Sequence, residues 1–93
     1  MAVTLVNNVL RMTADNDTIS RSEQFRISSI IWSGGANTEA MILEDADGEH
    51  IVEAVATTGQ LEFSWTYPMG RNVGKTITAE TLDGGKLAIV IMD

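Results

Sequence analysis

Residues 60–67 read QLEFSWTY, and this stretch decides the fold class. Leu61, Phe63, Trp65 and Tyr67 alternate with Gln60, Glu62, Ser64 and Thr66. Alternation with a period of two puts the apolar set on one face of a strand, whereas a helix would scatter it around its axis. The same period continues elsewhere. Phe25, Ile27, Ser29 and Ile31 alternate with Arg26, Ser28, Ile30 and Trp32, and Ile77 and Ala79 alternate with Thr76, Thr78 and Glu80. Val, Ile, Thr and aromatic residues fit a pleated, half-buried surface. Strands are predicted near residues 2–6, 9–13, 18–20, 24–32, 39–44, 50–56, 60–67, 75–81 and 86–92. EAMILEDA, at 39–46, is the best helical candidate, but its apolar run is too short to separate helix from buried strand by period.

Turn-forming clusters separate these runs: NN at 7–8, DND at 15–17, SGGAN at 33–37, DADG at 45–48, TTG at 57–59, PMGRNVG at 68–74 and DGG at 83–85. Asn and Asp tolerate left-handed backbone, and Gly adopts it without steric cost. Turns spaced by roughly 8–12 residues point to an all-β, single-domain antiparallel β-sandwich of about seven to nine short strands. The 93 residues form one domain, with residues 1–8 either an extended N-terminal arm or an edge strand.

Composition narrows the function. There is no cysteine, so no disulfide supports the core, which suits a reducing compartment. The start carries no signal-peptide pattern, and no apolar run approaches the ~18 residues of a membrane helix. Net charge is −7, and no Lys or Arg lies between Arg26 and Arg71. Phosphate binding needs clustered cations, so no nucleic-acid partner is expected, and without an apolar span no membrane partner is expected either.

The chemical motifs dissolve on inspection. GRNVGKT (70–76) has three residues between its glycines where a phosphate loop has four, and a strand pattern follows where that loop needs a helix. Asp45, Asp47 and Glu49 in DADGEH offer oxygen ligands, but the twelve-residue calcium-loop pattern fails, and Asp-Gly between apolar runs signals a hairpin. Whether these acids hold a cation stays open. His50 is the sole histidine, with no nucleophile motif beside it. The neighbouring acids Glu44 and Asp45 lack a cleft that would raise one pKa. Asn16-Asp17-Thr18 fits a glycosylation sequon and reads as a turn. No catalytic residue, metal ligand or cofactor is expected.

The aromatic residues pose the remaining question. Phe63 and Trp65 are predicted as core, and Tyr67, just before Pro68, as half exposed. Trp32 shares its period with Arg26, Ser28 and Ile30, the more polar set, and is predicted to be the better exposed aromatic. Trp32, Trp65 and Tyr67 would then make a flat sugar platform or an interface. The C-terminal strand KLAIVIM is apolar on both sides, with Leu87, Ile89 and Ile91 against Ala88, Val90 and Met92. Such a strand is central or covered. Self-association follows as an expectation, with Val3, Leu5, Trp32, Tyr67, Val90 and Met92 as candidate interface residues.

Taken together, AVTLVNNVLRMTADNDT, FRISSIIWSG, MILEDADGEHIVEA and TLDGGKLAIVIMD span nearly the whole chain. They resemble the short, cysteine-free, all-β structural proteins of tailed bacteriophages, including capsid decoration (cement) proteins. The resemblance implies a non-enzymatic virion component made in the host cytoplasm. Its partners would be copies of itself and the major capsid protein or another virion protein. Head decoration, head completion, tail and fibre-associated parts all remain open. A carbohydrate-binding or adhesive module is the alternative.

Overall fold

Nine strands form two antiparallel sheets, and no helix occurs among the described residues. The computed structural model describes residues 3–33 and 36–92, with the backbone alone for Val3 and Thr4. The strands are β1 (Val3–Val6), β2 (Val9–Met12), β3 (Thr18–Ser20), β4 (Arg26–Ser33), β5 (Ala40–Glu44), β6 (His50–Val55), β7 (Glu62–Asn72), β8 (Thr76–Leu82) and β9 (Lys86–Ile91). The five-stranded sheet runs β1-β2-β9-β4-β7 and the four-stranded sheet β3-β8-β5-β6. The chain is a β-sandwich. Residues 1–2 of the expected arm and the glycines of SGGAN lie outside the described residues. From Val3 onward the N-terminal segment is an edge strand paired with β2.

Local chemistry explains the hairpins. Asn7 and Asn8 join β1 to β2 with φ of 53° and 63°. Two successive positive φ values give the turn whose twist matches a hairpin, and Asn accepts them at low cost. Between β5 and β6, Gly48 takes φ 80° while Asp45 Oδ1 accepts the amides of Asp47 (2.9 Å) and Glu49 (3.0 Å). Other connections behave differently. After β2, the chain changes sheet at every link except the β5–β6 hairpin.

Two irregularities depart from the alternation read in the sequence. In β4 the register slips between Ile27 and Ser29 against both neighbours. The bulge inserts one residue and reverses the faces that follow. Phe25 and Ile27 point inward before it, and Ile30 and Trp32 point inward after it, all four fully buried. Ile31, grouped by period with Phe25, is turned out and 44% exposed. Serines suit the site: they are small, and the Ser28 hydroxyl donates to Val90 O at 3.3 Å. In β7 the expected turn after Tyr67 is instead a second bulge. Pairing with β4 passes from Thr66 to Arg71, and the strand runs on to Asn72. Pro68 lacks a ladder donor, and β7 tolerates it because it is an edge strand.

The core lies between the sheets. Leu10, Met12, Leu87 and Ile89 meet Met41, Leu43, Ile77 and Ala79. As its two-sided apolar pattern implied, β9 is central, flanked by β2 and β4.

Candidate functional site

The aromatic stripe of β7 sits where the core reaches the edge of its sheet. Antiparallel partners share a face, so the inner surface is made of cross-strand rows. One row is Met12, Leu87, Trp32, Phe63, and the next is Leu10, Ile89, Ile30, Trp65. Both end on an aromatic ring at the edge. Trp32 stacks on Phe63 at 5.5 Å and 18°, and Phe63 on Trp65 at 6.1 Å and 12°. Phe63, Trp65 and Tyr67 are partly buried against the core, and Leu61, just before the strand, is exposed. The Arg71 guanidinium lies 5.7 Å from the Tyr67 ring and donates to Ile51 O at 3.2 Å. The expected core role of Phe63 and Trp65 is therefore half met: they wall the core on one side and stay open on the other.

Trp32 overturns its expectation. It is fully buried, and its Nε1 donates to Gly84 O at 2.9 Å. The bulge at Ser28–Ser29 turned it inward, so it belongs to no surface platform or interface.

The outer face of the five-stranded sheet collects the other candidates. One row is Val6, Val9, Val90, Ser29, Thr66, and the next holds Arg11, Ala88, Ile31 and Ser64. Val6 is 56% and Ile31 44% exposed, while Val9, Ala88 and Val90 are half-buried. No strand lies over this face among the described residues. A groove of ≈ 230 Å³ opens over small Ala88, flanked by Arg11, Lys86, Ile31 and Ser33. The remaining candidates divide. Leu5 pairs with Leu10 and so lies on the inner face at the β1 edge, 38% exposed. Val3 is paired with Met12, and its side chain lies outside the described residues. Met92 is half-buried just past β9, its amide donating to Arg26 O at 2.6 Å. Sequence reasoning found Val90 but missed Ile31, whose orientation depends on the bulge. It also missed Val6 and Val9, which a hairpin register would have paired.

The turn acids do not converge. Asp45 spends its carboxylate on turn amides, while Asp47 and Glu49 are exposed. His50 opens β6 as an exposed residue. Gly70-Arg71-Asn72 finish β7 and Thr76 begins β8, so a strand follows the glycine-containing segment.

No protein-family model and no curated protein sequence matches the chain. Among solved structures, a fucose binding module of Streptococcus pneumoniae is similar at 12% sequence identity and a TM-score of 0.42, over 91% of this chain and 70% of that one. No ligand or partner is carried over from it.

Proposed function

We propose that this chain is a non-enzymatic association module that docks through the outer face of its five-stranded sheet, first of all on copies of itself. The supporting observation is the uncovered apolar surface formed by Val6, Val9, Val90, Ala88 and Ile31 across β1, β2, β9 and β4. Contiguous apolar surface of this kind marks interaction sites, whereas single exposed apolar residues do not. Its size sets the affinity. Five strands about 4.8 Å apart, with six residues rising about 3.3 Å each, give a face of roughly 24 by 20 Å. Two such faces bury on the order of 1,000 Å², at or below the usual ~1,200–2,000 Å². Isolated pairs are then weak, and repetition on a lattice supplies the missing affinity through effective concentration. The resemblance to phage structural proteins makes that lattice a virion shell, with the major capsid protein as second partner and head stabilisation as the task.

Sedimentation velocity at tens to hundreds of micromolar is expected to show a concentration-dependent oligomer. Ile31→Glu is expected to return it to monomer while leaving thermal stability nearly unchanged, since Ile31 points away from the core. A wild-type chain that stays monomeric across that range would remove self-association. Failure to co-purify with assembled capsids would remove the shell.

A second reading draws on the open flank of the Phe63–Trp65–Tyr67 stripe. A sugar ring can stack on an exposed aromatic, and Arg71 stands beside Tyr67. On this carbohydrate-binding reading, Trp65→Ala abolishes glycan binding on an array while the sandwich stays folded. Binding that survives Trp65→Ala, or no glycan binding by the wild type, dismisses it.

A further inference from the structure

On the outer side of the four-stranded sheet, three strands bring metal-ligating groups together. Glu44 ends β5, His50 opens β6 and Glu80 lies in β8, and one donor atom from each lies within 4.8 Å of the others. Two register shifts assemble the group. β5 slips against β6 between Leu43 and Glu44, and against β8 between Ile42 and Leu43. The first slip sets Glu44 opposite His50 while Ile51 and Val52 both turn inward. His50 and Glu53, three residues apart, thereby meet across one face, although strict alternation would separate them.

The imidazole separates this cluster from a patch of surface acids. Its Nδ1 lies 3.0 Å from Glu53 Oε2 and its Nε2 lies 3.8 Å from Glu44 Oε2. A carboxylate on Nδ1 fixes the ring and leaves the Nε2 lone pair free to ligate, the outer arrangement typical of metal-bound histidine. A separation of 3.8 Å is too long for a hydrogen bond. It is near the roughly 3.4 Å between two ligands that each stand about 2.1 Å from a tetrahedral ion. Three carboxylates face a single imidazole here, and neither β5 nor β6 contains a Lys or Arg. Like charges side by side destabilise a sheet, and a divalent cation would offset them.

We propose that Glu44, His50 and Glu80 bind one divalent transition-metal ion, with Glu53 positioning the imidazole. One nitrogen among oxygen donors selects Zn²⁺-like ions over Ca²⁺ and Mg²⁺, which take oxygen ligands. The ion cross-links β5, β6 and β8.

The test uses the full chain without an affinity tag, because His50 is then the only histidine present. Zn²⁺ is titrated by calorimetry and by NMR of the single imidazole, with Ca²⁺ and Mg²⁺ in parallel. The expected result is one Zn²⁺ per chain, a shift of the His50 ring signals and a raised melting temperature. His50→Ala removes the site, and Glu53→Gln weakens it by about tenfold or more. His50 and Glu80 are exposed, so their variants keep the fold, and the wild-type imidazole shift needs no variant. The proposal is overturned by unmoved ring signals at millimolar Zn²⁺, by binding that survives His50→Ala, or by Ca²⁺ binding as tightly as Zn²⁺.

Discussion

Trp32→Ala is expected to cost about 3–5 kcal/mol of folding stability, the range for removing a fully enclosed large aromatic. Trp32 has no exposed surface, stacks on Phe63 at 5.5 Å, and ties its indole N–H to Gly84 in the β8–β9 link. The substitution opens a cavity between the sheets and leaves the Gly84 carbonyl without that donor. A domain of this size holds about 5–15 kcal/mol in all, so a large share of the stability goes. Each kcal/mol moves the melting temperature by about 4–8 °C. Urea denaturation followed by the fluorescence of Trp65, the remaining tryptophan, measures the loss. Ile31→Ala, one residue away on the opposite face, is expected to cost under about 1 kcal/mol. Reversal of that order would restore the plain alternation and place Trp32 outside.

Asp17→Ala is expected to cost about 2–4 kcal/mol. Asp17 is fully buried, and its Oδ2 accepts the amides of Thr13 and Ala14, both at 3.0 Å. Its backbone also carries the link from β2 toward β3, with Ala79 N donating to Asp17 O at 2.8 Å. Alanine strands two amides in a partly buried loop, and each unsatisfied buried donor costs about 1–3 kcal/mol. Among the described residues Oδ1 has no hydrogen-bond partner, so only Oδ2 of the carboxylate is engaged by them. Asp17→Asn keeps an acceptor for both amides and is expected to recover part of the loss. Chemical denaturation of the two variants decides, and a change below about 0.5 kcal/mol for Asp17→Ala would make the contacts incidental. Nothing in the DND stretch distinguishes Asp17 from its exposed neighbours Asp15 and Asn16. What sets it apart is tertiary: its carbonyl accepts from Ala79 of β8 while its side chain turns back onto Thr13 and Ala14.

The candidate surfaces were legible to unequal degrees. Val90 and Ala88 could be read as an outer apolar set because β9 is apolar on both faces, and a two-layer sandwich buries only one. Phe63 and Trp65 could be read as wall residues from the purity of their alternation. Their half-open state could not, because it follows from β7 lying at a sheet edge. Pro68 and Gly70 read as a turn because both usually end strands. In an edge strand the missing donor faces no neighbour, and Gly70 accepts φ 77° within the bulge.

From its own residues the chain determined that it is made of strands, where it turns at Asn7-Asn8 and Asp45–Gly48, and that β9 is either central or covered. These are near-neighbour properties: side-chain period, turn stereochemistry and the hydrophobicity of a single segment. Tertiary structure decided which strands meet, that Trp32 rather than Ile31 enters the core, and that Glu80 arrives beside Glu44 and His50. One inserted residue in a ladder reverses every face beyond it, and an insertion exists only relative to the strand it pairs with. That partner is chosen by the packing of both sheets together, which no local pattern contains.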